Sequence, residues 1–147
     1  MKDIMLKITG KTLSARPANG KPEDEFNDTI EFTTAGTMTS RGGITRITYD
    51  ETELSGIEGC RTLITIAGQK LKMQRSGRDL PNGTIMEFEE GKRYHGLYET
   101  PYGNIGMEIL TNSVKFEGEN KIAVNYSLSL QGIVESRNEL DIEVIEQ

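Results

Sequence analysis

Apolar residues recur at every second position along most of the chain, the period of a strand with one buried face. "IMLKITG" sets Ile4, Leu6 and Ile8 together, and "DTIEFTTAGTM" does the same with Ile30, Phe32 and, further on, Met38. "TRITYDE" offers Ile47 and Tyr49. "RTLITIAGQKLKMQRSG" reads as two strands joined near "AGQ", the second alternating Leu71, Met73 and Arg75 against Lys70, Lys72 and Gln74. "GTIMEFEEG" is a short strand with apolar residues on both faces. "KRYHGLYET" sets Tyr94, Gly96 and Tyr98 against Arg93, His95, Leu97 and Glu99. "GNIGMEILT" aligns Ile105, Met107 and Ile109, and "KIAVNYSLSL" aligns Ile122, Val124, Tyr126, Leu128 and Leu130. "NELDIEVIEQ" closes the chain with Leu140, Ile142 and Val144.

Turn signals separate these runs: "ANGKP", "SRGG", "DLPNG", "EEGK", "TPYG", "EGEN" and "QG". The pattern predicts about ten strands in an antiparallel meander. No helical run longer than a turn or two competes with it. Strands this long in a small domain remove their exposed edges by closing into a barrel, so the expectation is an all-β, single closed antiparallel meander barrel of about eight to ten strands. The long segment Ala15–Asp28 reads as a solvated loop, with a lid over a barrel mouth as the livelier alternative. "TPYG" reads as a hairpin corner: Pro101 presets φ at the second turn position and Gly103 takes the last.

Composition narrows the function classes. The 147 residues are enough for a single domain, residues 1–147, with a real core. Sixteen glycines agree with many turns, and 35% hydrophobic content suits a sheet with one wet face. The net charge of −6 disfavours nucleic acid and anionic membrane surfaces as partners. One cysteine, Cys60, rules out an internal disulfide and favours the cytoplasm. Nothing near Cys60 in sequence would activate a thiolate.

Polar residues on the apolar faces are the candidates for chemistry. Arg75 follows Leu71 and Met73 in the period and is expected to point inward. A buried guanidinium needs a partner. An internal acid, Glu87 or Glu51, would make it structural, while a ligand carboxylate or phosphate would make it functional. Tyr49, Tyr94, Tyr98 and Tyr126 also fall on apolar faces, and around Arg75 they would form a polar floor in an apolar barrel. Glu87 shares its face with Ile85 while Met86 shares the other with Phe88, so the period leaves its direction open. His95, the single histidine, stands opposite the tyrosine face and is expected to be exposed. No metal-site spacing, cofactor motif or nucleophile motif is present, and the acidic run "EDEFND" lacks the spacing of a calcium loop.

The succession of "RSG", a short strand with "MEF", "YHGLYETPYGNIGMEILT", "NYSLSLQG" and a final "ELDIEVIE" resembles the YwiB-like family of small bacterial proteins, a domain of unknown function. The resemblance covers almost the whole chain. It implies a calycin-like, lipocalin-like barrel in a bacterial cytoplasm and no established activity. The expected function is non-enzymatic binding of a small apolar or anionic molecule inside the barrel. The alternative is a solidly packed barrel acting through a surface or a homodimer interface, marked by Ile85, Leu97, Leu110 and Ile145.

Overall fold

The computed structural model describes residues 2–14, 28–50, 60–77, 80–100, 103–117, 120–131 and 134–146. Ten strands account for nearly all of them: β1 (Lys2–Ser14), β2 (Asp28–Arg41), β3 (Ile44–Asp50), β4 (Cys60–Ala67), β5 (Lys70–Gly77), β6 (Leu80–Glu89), β7 (Arg93–Thr100), β8 (Gly103–Glu117), β9 (Lys121–Leu130) and β10 (Val134–Glu146). The alternation predicted this set, but several strands run longer than their apolar stripes. The expected loop Ala15–Asp28 lies outside the described residues except at Asp28, which opens β2, and Pro101, Tyr102 and Glu51 also lie outside them.

Every ladder is antiparallel, in the order β6-β5-β4-β3-β2-β1-β10-β9-β8-β7. Except for β6 and β7, strands adjacent in sequence are adjacent in the sheet, and β10 pairs with β1, as a meander rolled into a barrel requires. β6 and β7 end the ladder and run side by side, so the barrel is nearly closed rather than fully laddered. Their connection is tied to β8 instead: Gly91 N–H donates to the Thr111 carbonyl at 2.9 Å, and Thr111 N–H to that of Lys92 at 3.2 Å. The β2–β3 turn places Gly42 and Gly43 at φ 59° and 81°. Such a two-residue hairpin needs positive φ at both central positions, which glycine adopts without strain.

One face of each strand fills the interior. Ile4, Leu6, Ile47, Ile64, Leu71, Phe88, Ile109, Val124 and Ile142 are sealed from solvent and form the core's middle layer. Their pairings show why: Leu6 faces Val144, Ile47 faces Ile64, Ile66 faces Leu71, and Leu71 faces Phe88. In β8 the inner register changes parity. Met107, Ile109 and Thr111 point in, then a bulge between Thr111 and Ser113 shifts the phase, and Val114 and Phe116 point in.

Candidate functional site

The inner faces carry polar residues at one end of the barrel, near the ends of β3, β5 and β7. Arg75 stands there as the period predicts, between Thr62 on β4 and Thr84 on β6, both deeply buried. A bulge between Arg75 and Gly77 follows at once. The Arg75 Nε is buried, and the residue has polar or electrostatic contacts of its own. Across the interior lies Tyr126 of β9, between Thr111 and Asn138. Its ring meets Phe88 at 4.7 Å between centroids, tilted by 57°. Burial pushes its hydroxyl up to about 12, against a smaller downward pull from the Arg75 charge. Asn138 accepts from the Thr12 hydroxyl at 3.0 Å and donates to Ser136 Oγ at 3.1 Å, which satisfies a buried amide. Thr111 Oγ1 is buried with no hydrogen-bond partner among the described residues. The result is a polar layer beneath the apolar middle of the barrel.

The remaining candidates are dispersed. Tyr49 is 3% exposed and packs on the inner face between Gly36 and Thr62, with polar contacts of its own. Tyr98 is half-buried opposite Ile105. Tyr94 lays its ring over Gly96, where even a methyl group would come within 2.8 Å of it. Burial first, and the Glu87 carboxylate second, raise the Tyr94 hydroxyl above its usual range. Glu87 does not serve as the inward partner weighed for Arg75. Leu71 faces Phe88, which fixes Phe88 inward and turns Glu87 outward opposite Lys72. There its carboxylate meets Lys70 Nζ at 2.6 Å, a contact that raises the lysine's pKa.

His95 is exposed, with Nε2 at 3.2 Å from Glu108, which also takes Arg93. Of the expected markers of an interface, Leu97 (57% exposed) and Ile145 (42%) lie on β7 and β10, with β8 and β9 between them, while Ile85 and Leu110 are half-buried. Among the described residues no group of three His, Cys, Asp or Glu could hold a metal ion, and no helix is long and apolar enough to cross a membrane.

The opposite end of the barrel is open. A cavity of about 460 Å³ lies there. Met38, Ile47, Ile66, Phe116, Ile122 and Val144 form its apolar wall, and Lys2, Ser40, Thr45, Asn120 and Lys121 its polar lip. None of the six candidate residues lines it; the sealed middle layer separates it from Arg75. The lip was nevertheless within reach of the rule that found Arg75. Lys2 extends the stripe of Ile4 and Leu6, Ser40 that of Met38, and Thr45 precedes Ile47, each a polar residue on an inner face. At strand ends polar residues are ordinary, so the period alone does not single these three out.

A nearly closed ten-stranded meander, packed across its middle and hollow at one mouth, defines the class of small interior-cavity barrels. Within it, the chain belongs to the family described as a domain of unknown function (DUF1934), whose model matches residues 18–142. Its fold is similar to that of the ywiB protein from Bacillus subtilis, with a TM-score of 0.64 at 14% identity over 97% of this chain and 93% of that one. No curated protein matches the sequence.

Proposed function

We propose that this barrel is a non-enzymatic carrier or sensor that binds a small, largely apolar molecule in its interior, in the cytoplasm that its single-cysteine composition favours. One observation carries the reading: the cavity of about 460 Å³ at the open mouth. Its size falls within the roughly 300–1,000 Å³ typical of small-molecule sites, and its lining joins six apolar residues to five polar ones. Arg75, Tyr126 and the threonines beside them act in this reading as the packed polar floor at the far end; Tyr49, Tyr94 and Tyr98 are wall and seam residues.

The test is native mass spectrometry of the untreated protein and binding of a neutral apolar probe, 1-decanol, to the wild type and to Ile66→Trp. The larger ring is expected to narrow the cavity at its apolar wall and weaken binding while leaving the unfolding transition cooperative. Failure of the wild type to bind any apolar molecule, or unchanged binding by Ile66→Trp, would remove the interior-ligand reading.

A further inference from the structure

The lip of the mouth is polar in two unlike ways. Neither of its lysines offers the cavity an unengaged charge. Lys2 has a polar or electrostatic contact of its own. Lys121 stands on the outer register of β9, opposite Glu143 and Glu117, with its ammonium 3.8 Å from the Glu117 carboxylate. Ser40 and Thr45 differ. They face each other across the β2–β3 ladder on its inner register, one inner step beyond the apolar pair of Met38 and Ile47. Both line the cavity, and their hydroxyls lie 3.1 Å apart. Only the Arg41–Ile44 pair separates them from the tight turn at Gly42 and Gly43, which fixes the spacing of the two strands there. A hydroxyl carries one hydrogen and two lone pairs. The bond between the two uses one hydrogen and one lone pair, so the pair keeps an O–H to donate and lone pairs to accept, beside a wall of hydrocarbon.

We infer that the mouth takes a neutral amphiphile with a hydroxyl head. The head closes a ring of three hydroxyls with Ser40 and Thr45, and the hydrocarbon body lies against Met38, Ile47 and Ile66. This rests on the interior-binding reading and adds the head group and the orientation of the ligand. A third oxygen can sit about 2.8 Å from each of the pair. It then accepts from the remaining O–H and donates its own hydrogen to a lone pair, so every hydroxyl in the ring both gives and receives. An ether or a ketone accepts but has no hydrogen to donate, and it leaves the ring open. A carboxylate would bring a full charge to a lip whose lysines are engaged, and would exchange its hydration for a single O–H. A small polar molecule without a hydrocarbon body would leave the apolar wall wet, which removes the burial that drives binding.

The experiment compares calorimetric titrations of 1-decanol, its isomer nonyl methyl ether, and decanoate, each below its solubility or aggregation limit. The proteins are wild type, the double variant Ser40→Ala/Thr45→Val, and the exchanged variant Ser40→Thr/Thr45→Ser. Circular dichroism melts confirm that each is folded. The wild type is expected to bind decanol roughly fivefold more tightly than the ether, the scale of one net hydrogen bond. That preference should hold as salt is added, since no charge makes it. It should vanish in Ser40→Ala/Thr45→Val with ether binding unchanged, and persist in the exchanged variant, which keeps both hydroxyls. Decanoate should bind the wild type less tightly than decanol. Equal affinities of the wild type for decanol and the ether, or a preference that outlives the loss of both hydroxyls, would overturn the hydroxyl site while leaving interior binding intact. Tighter binding of decanoate than of decanol would also overturn it, by giving the mouth a counter-charge for an anion. If neither neutral molecule binds the wild type, the inference falls together with the reading beneath it.

Discussion

Tyr126 is where a single side chain sets a measurable property of the fold. Its hydroxyl is held at about 12 against an ordinary 10.0, chiefly by burial. Below pH 10 the phenol is neutral in both the folded and the unfolded chain, and its contribution to stability is complete. Between pH 10 and 12 the unfolded chain ionises first, so stability falls as pH rises, by about 3 kcal/mol for a shift of two units. Denaturant melts across that range should show this loss, and Tyr126→Phe should flatten it. Equal slopes for the two proteins would mean that Tyr126 is not the group responsible. Arg75 pulls the same hydroxyl downward, so Arg75→Met should extend the loss to still higher pH and deepen it. The pairing of these two residues was half legible in the sequence. Strict alternation through Leu71 and Met73 aimed Arg75 inward, and "KIAVNYSLSL" did the same for Tyr126. Which distant strands face each other across a barrel is not carried by the period of either one. Glu87 was undecided for a related reason: its strand is apolar on both faces, and only the pairing of Leu71 with Phe88 settles which face is core.

At the scale of an element, β8 shows what period-two reading captures and what it loses. The alternation of Ile105, Met107 and Ile109 announced a strand, yet the strand continues to Glu117. The bulge after Thr111 reverses the parity of the inner face, and the alternation no longer reads as one stripe. Asn112 marks the insertion. Its side chain is exposed and donates to Asn125 Oδ1 at 3.0 Å, and Asn125 in turn donates toward Glu139 at 3.4 Å, so the outer face of β8, β9 and β10 is fastened at that point. Deleting Asn112 should remove the bulge yet leave Val114 and Phe116 inward, because Ser113 then follows Thr111 directly and keeps its pairing with Asn125. The expected cost is small, about 0.5–1.5 kcal/mol for the lost Asn112–Asn125 hydrogen bond, with the cavity wall at Phe116 kept. A loss of several kcal/mol in urea would show that the bulge itself, and not the pairing beyond it, keeps Val114 and Phe116 inward. Among the described residues the other strands keep a single inner parity, which is why the meander was legible while the mouth built by β8's far half was not.

Across the whole molecule the interior is uneven. The middle is sealed by residues such as Ile4, Leu6, Ile64 and Leu71, the Arg75 end is a hydrogen-bonded polar layer, and the mouth is hollow. Atoms lining a hollow lack partners on one side and forfeit part of their dispersion attraction, so local opening should be cheapest there. Native-state hydrogen exchange is expected to grade along the barrel axis: fastest at Met38–Ser40 and Thr45 beside the mouth, slowest at Leu6, Ile64 and Leu71. A ligand that occupies the mouth stabilises the folded chain in proportion to the logarithm of its free concentration over its dissociation constant, about 2.7 kcal/mol at a hundredfold excess. 1-Decanol should therefore slow exchange first at the mouth, before it reaches amides of the middle layer that open only on global unfolding. The same graded protection should be weaker in Ile66→Trp. Uniform exchange along the axis in the free protein would mean that the mouth is as tightly held as the core. Protection by 1-decanol that begins beside Arg75 would shift the ligand to the polar end, because the sealed middle layer leaves no path for a molecule bound at one end to be felt first at the other.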